Sequence, residues 1–473
     1  MTRALEIFGV FTIAYFATLN LIYISFTIMA WQGLTGHLRK RAYSSEEEAF
    51  ASPLTPPISI LLPGYNEEAG VVESVRSLLA LRYPEFEIVM ISDGSTDATI
   101  ERLKVAFELV PVRKALRDGI ATKPVRAVYV SRRHPELVVV DKENGGKADA
   151  LNVGVNAARY PYVCAVDADA ILEHDALLRV AKPILDEPHL VAATGGIVRI
   201  ANGCTIDHGR VVDVRLPSSK VATFQVVEYF RAFLVGRVGW SRVNALLIIS
   251  GAFGLFRRSV VDAVGGWSTR TIGEDMELVV RMHRFLRDRD EDYRIEFVPD
   301  PVCWTEAPED MRTLNRQRNR WQRGLAEVLW THRGIAFNPR YGWLGLGGFP
   351  YFLLFELLGP LVEVAGYIAI PVAVVVGLLS PPFLIAFSVV AVLLGVLLSV
   401  SALALEEFSF RRHRQGREAA RLIAYAILEN FGYRQWVSFS RAWAFVDLAR
   451  GKNTWGEQKR KGLGSPAGAS AGH

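Results

Sequence analysis

Hydrophobic and polar positions divide the chain into three regimes. From Ile7 to Trp31 no residue is charged. A helix of about 25 residues, at 1.5 Å each, outreaches the roughly 30 Å hydrocarbon core of a bilayer. The run is too long for the apolar part of a secretory leader, and His37, Arg39, Lys40 and Arg41 follow it. This predicts a retained transmembrane helix over 5–33. A second apolar block runs from about Leu344 to Leu405, free of charge from Val364 and divided by Pro381-Pro382. It predicts two spans within 343–408 joined by a tight turn, with Arg411, Arg412, Arg414 and Arg417 just beyond. The basic clusters put Arg39–Arg41 and Arg411–Arg417 on the cytoplasmic side and the Ser380–Pro382 turn outside. Glu356 and Glu363 are seven apart and share a helix face at this depth, where ionisable groups line polar routes or pair with one another. Arg434 or Arg441 is their expected counterpart. A third stretch, Leu422 to Leu448, mixes apolar residues with Glu429, Asn430, Arg434, Gln435 and Arg441. It predicts an amphipathic or membrane-dipping hairpin over 417–450, with the Lys459–Lys461 cluster and a disordered 456–473 tail inside.

Between Pro53 and about residue 310 the pattern changes to short apolar runs alternating with helical periods. Ile58–Leu62, Glu87–Ser92, Val125–Ser131 and Tyr162–Val166 read as strands, and helices begin near Glu67, Asp97, Gly146 and Glu173. That alternation predicts a soluble α/β domain over 53–310, a largely parallel sheet with helices on both faces. Ligands of such sheets bind beyond the carboxyl ends of the strands. The polar groups collect there: Tyr65-Asn66-Glu67 after the first strand, Asp93-Gly94-Ser95 after the second, Asp167-Ala168-Asp169 after the fourth.

Composition narrows the class. Half of the 473 residues are apolar and 22% are charged, which excludes a disordered chain, a coiled coil and a small disulfide scaffold. The 54 basic and 49 acidic residues leave a net charge of +5, too balanced to argue for a nucleic-acid partner. Cys164, Cys204 and Cys303 have no paired spacing and fit a reducing compartment.

Three further elements carry chemistry. Asp167 and Asp169, two apart at a strand end, can share one hard cation that neutralises a diphosphate. Upstream, Asn144-Gly145-Gly146-Lys147 supplies glycines that let backbone approach a phosphate and a lysine at a helix start. Glu274-Asp275 opens a helix, where Asp275 is either a charge favoured by the helix dipole or a general base for a hydroxyl nucleophile. Gln317, Arg320 and Trp321 fall on one helix face and offer an amide, a guanidinium and an indole platform, within an interfacial helical segment over 311–342.

In this order, Pro63-Gly64-Tyr65-Asn66-Glu67, Asp93-Gly94-Ser95, Gly146-Lys147, Asp167-x-Asp169, Gly273-Glu274-Asp275 and Gln317-x-x-Arg320-Trp321 resemble the family 2 glycosyltransferases. The likeness is to the membrane-embedded polysaccharide synthases, a group that includes the cellulose, chitin, hyaluronan and poly-N-acetylglucosamine synthases. It covers roughly Ile58 to Gly324. The resemblance implies a GT-A type, Rossmann-like mixed α/β sheet set between N-terminal and C-terminal transmembrane helices, in a multi-pass protein of the cell (inner) membrane. It implies that Tyr65, Glu67 and Asp93 hold the nucleoside of a UDP-sugar, with Lys147 near the diphosphate. Asp167 and Asp169 would bind Mg²⁺ or Mn²⁺, with Asp169 the direct ligand. Asp275 would be the base, with Glu274 beside it, and Gln317, Arg320 and Trp321 would close over diphosphate and acceptor. Ser250-Gly251-Ala252-Phe253 stands where the cellulose enzymes carry a Phe-Phe-Cys-Gly-Ser acceptor element and departs from it, which leaves its role open. The expected reaction is inverting transfer, leaning to UDP-N-acetylglucosamine, onto a growing glycan at the bilayer and coupled to export, with accessory subunits not fixed by the sequence. The alternative is addition of one sugar to a lipid acceptor such as a polyprenyl phosphate or glycolipid.

Overall fold

Uninterrupted apolar runs in the middle of the chain become strands: β1 (Ile58–Gly64), β2 (Phe86–Asp93), β4 (Val125–Ser131) and β6 (Tyr162–Val166). Among the described residues they are joined by β3 (Leu109–Val112), β5 (Leu137–Lys142), β7 (Ile171–Leu172), β8 (Val191–Ile200), β9 (Thr205–Asp207), β10 (Arg210–Asp213), β11 (Phe253–Arg257) and β12 (Arg294–Thr305). This computed structural model describes residues 2–43, 46–207, 209–377, 380–410 and 416–451. The expected disordered tail, the Lys459–Lys461 cluster and Arg411, Arg412 and Arg414 lie outside the described residues.

Ten strands form one sheet in the order β3-β4-β5-β2-β1-β6-β11-β8-β12-β7, and β9 and β10 pair as a separate ribbon. The fold is the expected mixed α/β sheet, less parallel than the local pattern alone suggests. β5, β2, β1 and β6 run parallel, but β11 inserts antiparallel between β6 and β8. Its partner Val166 lies far upstream of Phe253, a pairing that no local periodicity reveals. β1 is buried at every position, which is why it reads as a continuous apolar run rather than an alternation. The crossover from β1 to β2 moves one way along the sheet and that from β5 to β6 the other. Right-handed crossovers then put the helices Val71–Leu79 and Lys147–Ala157 on opposite faces. The order reverses beside β1, and the carboxyl ends of the strands there are where sheets of this kind bind ligands.

Helices after β1, β2 and β6 begin a few residues later than the periodicity suggests, at Val71, Thr99 and Ala176. The intervening residues form turns. Asn66 adopts φ +55°, and the N–H groups of Glu67 and Glu68 donate to Thr99 Oγ1 and Asp97 Oδ2, both at 3.0 Å. Hydrogen bonds from Thr99 and Glu68 hold the Asp97 carboxyl below its usual range, against the rise that burial alone would bring.

The chain forms two compact units. The described residues of Lys40–Arg215 and Leu246–Ala307 make the sheet unit, and those of Met1–Arg39, Leu216–Ala245 and Pro308–Gly456 a helical unit. In the helical unit the first helix runs from Thr2 to Tyr43. It outlasts its apolar stretch because the residues after Trp31 include no proline to stop it. Gly9–Arg39 and Leu344–Val375 are long and apolar enough to cross a membrane. A further apolar helical run spans Pro381–Phe410. The helices Gly416–Leu428 and Arg434–Ala449 are separated by a break at Phe431 and Gly432, the latter at φ +100°. Arg441 meets Glu356 at 3.1 Å, and Ser438 donates to Glu363, so both glutamates face the helix Arg434–Ala449.

Candidate active site

The site grows from three turns that the sheet brings to one edge. The first follows β5. Gly146, at φ +87°, turns the chain into the helix Lys147–Ala157, so Lys147 occupies the first helical position. The turn is held from below by Asp93 at the end of β2, whose two carboxylate oxygens accept from Gly145 N–H at 3.0 Å and Gly146 N–H at 2.8 Å. Asp93 is also bonded to the fully buried ammonium of Lys142 at 2.6 Å, and Lys142 reaches Asp149 at 2.7 Å. Gly94, at φ +70°, passes so close that a Cβ there would lie 2.6 Å from Asn144 N, which only glycine allows.

The second turn follows β6. Asp167-Ala168-Asp169 is not extended: the N–H of Ala170 donates to Asp167 O at 3.0 Å and closes a β-turn. The two carboxylates therefore hang from one turn and do not alternate along a strand. Both carboxylates bear on one buried neighbour. Burial raises the Cys303 thiol well above its usual range, and Asp167 and Asp169 push it further. The third turn leads into the helix Glu274–Asp288, whose first turn carries Glu274, Asp275 and Glu277.

Lys147 joins the three. Its ammonium is 2.5 Å from Asp167 and 3.8 Å from Glu274, and it donates to Gly251 O at 3.2 Å. The N–H of the same Gly251 donates to Asp275 Oδ2 at 3.0 Å. Burial alone would lower the Lys147 ammonium, but Asp167, Glu274 and Asp275 hold it above the usual lysine range. Burial pushes the Glu274 carboxyl up to about 7, Asp275 and Asp167 add to the rise, and Lys147 opposes it.

Residues 59–265 match the family model described as Glycosyl transferase family 2. Over those residues the chain is similar to that family. Poly-beta-1,6-N-acetyl-D-glucosamine synthase of Staphylococcus epidermidis is 34% identical over 275 residues, covering 58% of this chain and 55% of the relative. The synthase of that name from Staphylococcus aureus (strain COL) matches with the same identity and coverage. The chain thus spans about half the length of the curated relatives it matches. Among solved structures, a mannosyltransferase from Pyrobaculum calidifontis, in complex with GDP-Man and Mn²⁺, covers 92% of this chain and 100% of its own at 19% identity and a TM-score of 0.49.

The sheet unit brings together Lys147, Asp167, Glu274 and Asp275. It puts Asp93 behind the lysine turn and leaves Tyr65, after β1, 51% exposed; Glu67 is half-buried beside it. Gln317, Arg320 and Trp321 belong to the helical unit, on the helix Met311–Thr331. Trp321 is exposed there and stacks against the Arg318 guanidinium, 4.5 Å from its ring centre. Three participants escape sequence reasoning. Lys142 and Asp149 lie beside the glycine motif, but nothing local marks a lysine as buried. Gly251 acts through its backbone, and a Cβ there would lie 3.1 Å from Lys147 Nζ and 3.3 Å from Asp275 Oδ2. Its place in the Ser250–Phe253 segment was the one available signal.

Proposed function

We propose that the chain is a membrane-anchored transferase that moves N-acetylglucosamine from a UDP donor to a growing polysaccharide with inversion at the anomeric carbon. The observation that carries this reading is the Lys147 junction, which draws the phosphate turn, the Asp167 turn and the Asp275 helix into one centre. The names of the relatives support the choice of sugar.

Asp275, bonded to Gly251 N–H, is oriented to accept the proton of an acceptor hydroxyl as that oxygen attacks the anomeric carbon. Lys147 offers its charge to the donor diphosphate. Tyr65 and Glu67 hold uracil and ribose. Asp93, its oxygens taken by Gly145, Gly146 and Lys142, shapes the nucleotide turn from behind. Gln317, Arg320 and Trp321 act on the diphosphate and acceptor end. Asp167 and Asp169 fit a divalent cation: they are hard oxygen donors on one tight turn, and Asp167 already takes a cationic partner. Mg²⁺ or Mn²⁺ bound there would neutralise charge on the departing UDP. For the membrane, we propose spans within Gly9–Arg39, Leu344–Val375 and Pro381–Phe410, with the catalytic domain cytoplasmic in the cell membrane.

UDP release by the purified protein in detergent, with Mn²⁺ and each UDP-sugar in turn and the product sized on a gel, tests the proposal. Release with UDP-N-acetylglucosamine and a long product ladder is expected. A single-sugar lipid product would replace polymerisation with lipid transfer. Asp275→Asn should lower turnover by about 10³-fold, and a variant retaining wild-type turnover would remove Asp275 as the base.

A further inference from the structure

On the flank of the sheet unit, beneath the connection from β3 to β4, lies a cavity of about 650 Å³. Its charge is one-sided. Arg113, Lys114, Arg117, Lys123 and Arg126 line it, against Asp118 as the one acid among the lining residues. Arg117 is paired with Asp262 at 3.2 Å. Among the described residues, no carboxylate lies within ion-pair distance of Arg113, Lys114, Lys123 or Arg126. Asp141 offsets part of the Arg126 charge, and the remaining like charges around one concavity repel each other and concentrate anions. The inner wall is apolar, with Val112, Val128 and Val153. A few convergent charges over an apolar wall, in a volume within the range of ligand sites, suit a small organic phosphate.

The cavity is clamped to the helix that carries Lys147. Asn156 on that helix accepts from Ile120 N–H at 3.1 Å and donates to Ile120 O at 2.7 Å. Asp149, seven residues earlier and so on the same helix face, accepts from Lys123 N–H at 3.1 Å. From Asp149 the contacts continue through Lys142 to Asp93, and from Asp93 to the N–H groups of Gly145 and Gly146, the residues directly before Lys147.

We propose that this cavity is an anion site for a phosphorylated small molecule, and that its occupancy tunes donor binding through the helix Lys147–Ala157. The coupling rests on the reading of Lys147 as a donor-site residue; the binding does not. A phosphate drawn to Arg113, Lys114, Lys123 and Arg126 relieves their repulsion, tightens the connection, and through Lys123 N–H and Ile120 acts on Asp149 and Asn156.

The test is calorimetric titration of the full chain in detergent with two probes, inorganic pyrophosphate and ATP. EDTA is present, so no divalent cation can carry either probe into the donor site. Saturable binding is expected, weakened about tenfold or more by the double variant Arg113→Glu, Lys114→Glu and unchanged by Asp167→Asn. Binding of both probes assigns the site to charge alone, whereas binding of ATP only means that the apolar wall takes a ring. Binding lost in Asp167→Asn but kept in the double variant, or no saturable binding of either probe, overturns the site. For the coupling, a saturating probe should change the KM for the UDP-sugar at least about twofold in the wild type. The double variant should keep the wild-type KM without probe and lose the response to it. A wild-type KM that ignores bound probe overturns the coupling. A chain without transferase activity would refute the functional reading while leaving the binding result intact.

Discussion

Lys142 in the sheet unit is a cation taken wholly out of water, Arg231 in the helical unit one largely so, and each has found carboxylate. Lys142 sits between Asp93 at 2.6 Å and Asp149 at 2.7 Å. Arg231 meets Glu429 at 2.5 Å and donates to Ser399 at 2.7 Å. The pairing physics is shared, since a buried charge is tolerable only where a partner and further hydrogen bonds replace its hydration. What surrounds the pairs differs. Asp93 also holds the backbone of Gly145 and Gly146, so the Lys142 cluster is continuous with the turn that aims Lys147. The Arg231 cluster ends in side chains of helices, with Ser399 Oγ donating to Glu429 at 2.7 Å. One burial holds the turn before Lys147 and the other fixes how helices pack.

Removing the cations should separate these roles. Lys142→Met leaves two buried carboxylates facing each other and should cost about 3–5 kcal/mol. It should also lower transfer beyond what the loss of folded protein explains, because Asp93 is no longer anchored. Arg231→Met should destabilise the chain by a similar amount, about 3–5 kcal/mol, with the donor KM of the folded fraction unchanged. Thermal unfolding in detergent together with KM on the soluble fraction reads both. A normal KM in Lys142→Met would erase the distinction. Adding Glu429→Gln to Arg231→Met should recover part of the loss by removing the orphaned charge.

The next effect is a pH dependence within the sheet unit. His283 is fully buried, its ring nitrogens 2.7 Å from Tyr293 Oη and 2.9 Å from Leu246 O. Burial lowers its pKa from 6.5 to about 4, with the Leu246 carbonyl opposing that shift. Between these values the unfolded chain binds the proton more readily, so stability falls as pH drops from 6.5 towards 4. The full loss, reached below both values, is up to about 3 kcal/mol. His283→Gln should flatten that slope in unfolding measured from pH 7 to pH 4; an unchanged slope would place the titration elsewhere.

The two units also differed in what the sequence disclosed. β1, β2, β4 and β6 were legible because each is an apolar run stopped by a polar motif. β8 and β12 were not: β8 contains Gly195 and Gly196, β12 contains Pro299 and Pro301, and these residues mark breaks when read locally. β11 was hidden because its neighbours are set by contacts distant in sequence. Asp167, Glu274 and Asp275, which meet around Lys147, could be singled out because their residue types and spacing suggest a shared chemistry. Lys142, Asp149 and Gly251 could not, because burial and backbone direction give them their parts. In the helical unit, charge-free stretches pointed to long helices. The Arg441–Glu356 pair was anticipated from depth and spacing, whereas Arg231 and Glu429 have no local signal.

The smallest structural effect bears most directly on the proposed chemistry. Trp321 is 44% exposed, and its visible partner is the Arg318 guanidinium. Arg318 keeps Glu228 at 2.8 Å whether or not the indole is present. Trp321→Ala should therefore cost about 0.5–1 kcal/mol of stability, the size of a partly solvated cation–π contact. A platform for donor or acceptor would lose far more on truncation. A drop in transfer of about tenfold or more, beside so small a change in unfolding temperature, would assign the indole to the reaction. Transfer that follows stability alone would return Trp321 to the helix surface and leave Gln317 and Arg320 without their proposed neighbour.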